Sequence, residues 1–72
     1  MDDTQLRRAL SQNVPRLRDS KKLSQQALAD LMHVHRVTVA KIEGGTMTPG
    51  GDLLFSLADA LEVAPDALRE IP

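Results

Sequence analysis

No cysteine occurs in the 72 residues, which excludes disulfides, thiolate metal sites and a nucleophilic thiol. A reducing compartment fits that composition. Tryptophan and tyrosine are missing too, and Phe55 is the one aromatic residue. The core must therefore be aliphatic, built from Leu, Val, Ile, Ala and Met, which favours helices packed on helices over a β-sandwich. No apolar run approaches the ~20 residues of a membrane span, and the acidic start "MDDT" is unlike the basic n-region of a signal peptide. The sequence reads as one small, soluble, cytoplasmic domain. A chain this short buries only about 60% of its unfolded surface, so modest stability is expected.

The net charge of −1 is an uneven balance. Residues 1–42 carry eight Lys and Arg against four acids, and residues 43–72 carry Arg69 alone against six acids. Segregation of this kind offers one face to an anionic partner and another to something else.

Leu6, Leu10, Val14 and Leu17 recur at helical steps. Pro15 interrupts them, and an interior proline costs about 3 kcal/mol. The stripe is either a helix kinked at Pro15 or two pieces. We expect two pieces: an N-terminal extension over 1–12 forming a short amphipathic helix, then a domain over 13–72 opened by Asn13 as a cap, with Pro15 in the first turn. Ser24 caps the next segment, with Leu28, Ala29 and Met32 on one face. Residues 33–35 turn, 35–43 form a further helix, and Gly44-Gly45 ends it. Thr48 or Gly50 caps a helix carrying Leu54, Leu57, Ala58 and Leu61, and Pro65 opens a last short one. The predicted fold is all-α, a compact bundle of about five short helices, possible as six.

Two short helices joined by about three residues over Gln25–Gly44 have helix-turn-helix proportions. The stretch "LSQQALADLMHVHRVTVAKIEGG" at 23–45 resembles the lambda-repressor-like, Xre/Cro-type helix-turn-helix family. Leu23-Ser24-Gln25 is similar to that family's "LSQ" opening, and Glu43 with Gly45 to its "E-x-G" ending. Val34, Val39 and Ile42 fall at its inward positions, and Pro49 with "LLFSLADALEVAPDAL" resembles its fourth and fifth helices. The similarity runs over about 14–71.

The resemblance implies a sequence-specific regulator that binds double-stranded DNA. The helix at about 35–43 would lie in the major groove, with His35, Arg36, Val37, Ala40 and Lys41 facing it. Arg36 could reach guanine bidentately, and Val37 and Ala40 a thymine methyl. Gln25 and Gln26, at a helix N-terminus, would meet a phosphate. Arg18 and Glu43 match a pair that the family holds as a salt bridge, and Glu43 needs a cation because it opposes the helix dipole. Arg7, Arg8, Lys21 and Lys22 read as a solvated rim, one or two of which could touch phosphate.

Three positions depart from the family pattern. His33 stands where the turn usually has glycine, His35 replaces a small capping residue, and Pro15 stands where arginine is usual. The loop "GGTMTP" also lacks the basic residues often found there, leaving Thr46, Thr48 and backbone N–H groups to meet phosphates. A homodimer on a near-palindromic site is expected, joined through the C-terminal helices at Leu53, Phe55, Leu68 and Ile71. Two other functions share the pattern: an antitoxin that binds a toxin and autoregulates its operon, and a protein-interaction module that keeps the fold without DNA. His33-x-His35 is a poor metal site, since residues two apart on a helix do not face each other. No metal, no other cofactor and no catalytic activity are expected; nothing arranges Ser, His and Asp into a triad.

Overall fold

A computed structural model describes residues 2–70, and within them the chain forms five helices. They are α1 (Asp3–Ser20), α2 (Gln25–Met32), α3 (Arg36–Glu43), α4 (Gly51–Ala60) and α5 (Pro65–Arg69). No strand occurs among the described residues, so the β-branched run around Val34 and Val39 is helical or turn. Packing overrides the weak helix propensity of those residues.

Each helix begins where its sequence allows. The Asp2 carboxylate accepts from the Gln5 N–H at 2.8 Å, and the Ser24 hydroxyl from the Ala27 N–H at 3.0 Å. Gly50, not Thr48, is the cap of α4. Pro65 opens α5, where its missing N–H has no partner to lose.

The expected restart at Asn13 does not occur: α1 runs unbroken from Asp3 to Ser20 with Pro15 inside it. Leu10 and Val14, just before Pro15, are fully buried, and Leu17, just after it, packs half-buried against the same core. Burying Leu10 and Val14 is worth about 1.5–3 kcal/mol each, enough together to offset the proline's cost. Asn13 is therefore no cap. It is 1% exposed, and its amide nitrogen lies 2.9 Å from the Leu68 carbonyl and 2.6 Å from that of Glu70. It satisfies backbone acceptors that the end of α5 would otherwise bury unpaired.

Helices α1 to α4 end alike. Leu23, Val34, Thr46 and Val63 donate their N–H groups to the carbonyls of Arg18, Ala29, Lys41 and Ala58 at 3.0, 3.0, 3.1 and 3.0 Å. Each closes a Schellman motif whose penultimate residue takes a positive φ. Those residues are Lys22, His33, Gly45 and Glu62, so only one of the four is glycine.

The core joins Leu10 and Val14 with Leu28, Ala29 and Met32, Val39 and Ile42, Leu54, Leu57 and Leu61, and Leu68. α1 packs on α3 and α5, α2 on α3 and α4, and α4 on α5. Leu68 is fully buried in this core and cannot be a dimer contact as expected. Ile71 lies outside the described residues, while Phe55 is 66% exposed. Among the described residues no helix is long and apolar enough to cross a membrane.

Candidate nucleic-acid interface

The turn between α2 and α3 depends on His33, which sits at φ 57°, ψ 41° in the left-handed region. That conformation costs a non-glycine residue about 1–2 kcal/mol, less for short polar side chains. It lets Val34 turn its side chain back toward the core, against which it packs half-buried. His35 is extended and stands at the N-cap of α3, one residue before the helix, with no side-chain cap bond. The first turn of α3 thus keeps its orphan N–H groups unclaimed by that side chain.

α3 is two-faced. Val39 and Ile42 are fully buried, while Arg36, Val37 and Lys41 are exposed and Ala40 is half-buried. Positions 36, 37, 40 and 41 share one side of a 3.6-residue helix. Among the described residues neither Arg36 nor Lys41 joins an ion pair. Gln26, Val34, His35, Arg36 and Val37 line an open cleft of about 360 Å³ between the starts of α2 and α3. The cleft has the Arg36 cation, the polar side chains of Gln26 and His35, and an apolar wall.

The opposite end of α3 is held by Arg18. Its Nε and Nη2 donate to the two Glu43 oxygens at 2.7 and 3.2 Å, and Nη1 donates to the Leu23 carbonyl at 2.8 Å. The side chains are 16% and 8% exposed, so the pair is largely out of water. The hydrogen bond to Glu43 holds the Arg18 guanidinium above its ordinary, already strongly basic, range. One arginine thereby joins α1, the turn before α2 and the end of α3.

The two glutamines, both expected to meet a phosphate, are placed differently from each other. Gln25 turns inward, its amide donating to Glu43 Oε1 at 3.1 Å. Gln26 stays exposed, with its amide donating to Asp30 on the next turn at 2.9 Å. Beyond α3, exposed Thr46 folds back to donate to the Lys41 carbonyl at 3.3 Å. Half-buried Thr48 accepts from Arg7 Nη1 at 3.4 Å. Nothing in the sequence links Arg7 to that loop. Among the described residues no three His, Cys, Asp or Glu side chains cluster as metal ligands would.

The family model HTH_3, helix-turn-helix, matches residues 16–68. The restriction-modification controller protein C.AhdI from Aeromonas hydrophila is 32% identical, with a TM-score of 0.82; the match covers 86% of this chain and 94% of that one. The hypothetical transcription factor NHTF from Neisseria is 30% identical, with a TM-score of 0.90 over 99% of this chain and 80% of that one. An HTH_3 family transcriptional regulator from Vibrio cholerae is 28% identical, with a TM-score of 0.85 over 93% of this chain but only 38% of that protein. No protein of curated function matches at a significant level. With most of its length matched and its two-helix unit built as described, the chain belongs to the HTH_3 helix-turn-helix family, the lambda-repressor or Xre type of DNA-binding regulator.

Proposed function

We propose that this chain is a sequence-specific transcriptional regulator that lays α3 in the major groove of its operator. The observation that carries this reading is the outward face of α3, where exposed Arg36 and Lys41 flank Val37 and Ala40 without a carboxylate partner among the described residues. Arg36, in the first turn, suits guanine O6 and N7, and Val37 and Ala40 suit a thymine methyl. Lys41 suits a base or a phosphate. His35 and Gln26, which line the cleft, would meet the strand beside the groove, where the α2 N-terminus favours an anion. Thr46, Thr48 and nearby backbone N–H groups would meet the strand at the other end. Gln25 acts from behind, through Glu43, and contributes backbone N–H rather than its amide.

A single eight-residue helix covers little groove, so we infer a homodimer on a near-palindromic site with half-sites about one helical turn apart. Phe55, exposed on α4, with half-buried Leu53 beside it, is the contact that remains after the burial of Leu68.

The test is titration of random-sequence duplex DNA across ionic strengths, repeated with Arg36→Ala on the preferred site. Binding that strengthens as salt falls is expected, and Arg36→Ala should cost about 1–3 kcal/mol of discrimination at one base position. Absence of binding at every salt concentration would sink the reading.

A further inference from the structure

The loop after α3 poses an electrostatic problem. Residues 42–68 contain no Lys or Arg, yet this loop continues directly from a helix meant for the groove. α3 has eight residues and so is about 12 Å long, close to the width of the major groove. A helix of that length seated across the groove has a phosphate strand at each end. At one end stands the α2 N-terminus. At the other stands the loop, held down over the last turn of α3 by the Thr46 bonds to Lys41.

The structure brings a cation there from elsewhere in the chain. Gly45, at φ 72°, lies against α1 so closely that a Cβ on it would be 3.8 Å from Ser11 Cβ and 4.0 Å from the Arg7 carbonyl oxygen. Arg7 then extends Nη1 to within 3.4 Å of the Thr48 hydroxyl, a long contact that leaves most of the guanidinium's donors unused. Arg7 is half-buried, and among the described residues no carboxylate lies in ion-pair reach of it, not even Asp3 one turn earlier. The continuity of α1 through Pro15 is what brings Arg7 alongside the loop.

We propose that Arg7 is a phosphate-contacting residue, supplying from α1 the positive charge that the loop after α3 does not carry, with Thr48 orienting its guanidinium. The proposal rests on the groove-binding reading above. Arg7 would meet the backbone strand at the C-terminal end of α3, paired with the Thr46 and Thr48 hydroxyls. Its contact is sequence-independent, so it sets affinity and salt response rather than base preference.

The test is the slope of log affinity against log salt for a duplex carrying the preferred site and for random duplex. We expect Arg7→Gln to flatten the slope by about 0.9 for each bound protomer, one phosphate's worth, and so by about 1.8 for the dimer, and to weaken binding about threefold to tenfold per protomer near 0.1 M salt on both duplexes. Arg7→Lys should keep the slope, and Arg69→Gln on α5 should leave slope and affinity unchanged. Melting curves of each variant verify folding. An unchanged slope for Arg7→Gln overturns the proposal while leaving DNA binding intact. So does an equal loss of affinity in Arg7→Gln and Arg7→Lys at constant slope, which would make Arg7 only a brace for the loop. Failure of the unaltered protein to bind at any salt would overturn the groove reading and this proposal together.

Discussion

At the scale of single residues, Arg18 and His33 decide how α3 is presented. Removing Arg18 strands a carboxylate that is 8% exposed at the negative end of α3, with only Gln25 left to face it. Arg18→Ala should cost about 2–4 kcal/mol, which in a chain of this size lowers the melting temperature by about 10 °C or more. An unchanged melting curve would mean the pair adds no stability. Because the bond to Glu43 raises Arg18's pKa on folding, its contribution is present at neutral pH and on the alkaline side is lost only as pH climbs past that elevated value. His33→Gly acts oppositely. Relief of the left-handed strain outweighs the added freedom of the unfolded chain, and a gain of about 0.5–1 kcal/mol is expected. A lower melting temperature would contradict a left-handed His33.

Both residues stood out in the sequence, Arg18 by its match to a family pair and His33 by replacing a usual glycine. Gln25 did not. Two adjacent glutamines at a helix start are chemically identical, and only the position of Glu43, contributed from eighteen residues away, turns one of them inward.

At the scale of elements, α1 shows where a local rule misleads. The stripe Leu6, Leu10, Val14 and Leu17 is continuous, and the helix follows it through Pro15. A proline rule weighs one missing hydrogen bond; the folded chain also weighs the packing of the stripe on both sides of it, Val14 before and Leu17 after. Pro15→Ala should therefore stabilise the protein by about 1–3 kcal/mol, measured by denaturant unfolding. No gain would indicate that Pro15 sits in a first turn after all. Helix ends were harder to read. Lys22 and Glu62 take positive φ with no glycine to announce it, and the legible signal is the apolar residue that follows each, Leu23 and Val63. α2 and α3 were placed to within a residue because their inward positions, Leu28, Ala29, Met32, Val39 and Ile42, keep a strict helical period.

At the scale of the whole molecule, the all-α bundle was legible because an aliphatic, nearly aromatic-free chain has few other ways to build a core, and its family because residues 23–45 resemble a known helix-turn-helix pattern. What the linear sequence hid are contacts that cross the fold. Arg7 meets Thr48 from 41 positions away, and Asn13 closes the end of α5 across 55. Each depends on the packing of α1 against α3 and α5, which no local pattern encodes. The charge asymmetry takes on meaning at this scale too, since Arg36 and Lys41 on α3 and Arg7 on α1 belong to the basic half of the chain, while residues 43–72 carry six of the ten acids, three of them on α4 and α5. The proposed dimer would use the acidic half and leave the basic half to DNA.

Selection of bound duplexes from a random pool tests the groove reading most directly. Two inverted half-sites about one helical turn apart should be enriched, with Arg36→Ala relaxing one guanine in each. A pool that emerges unenriched, from protein that also shows no salt-dependent binding, would contradict the assignment of α3 as a DNA-reading helix.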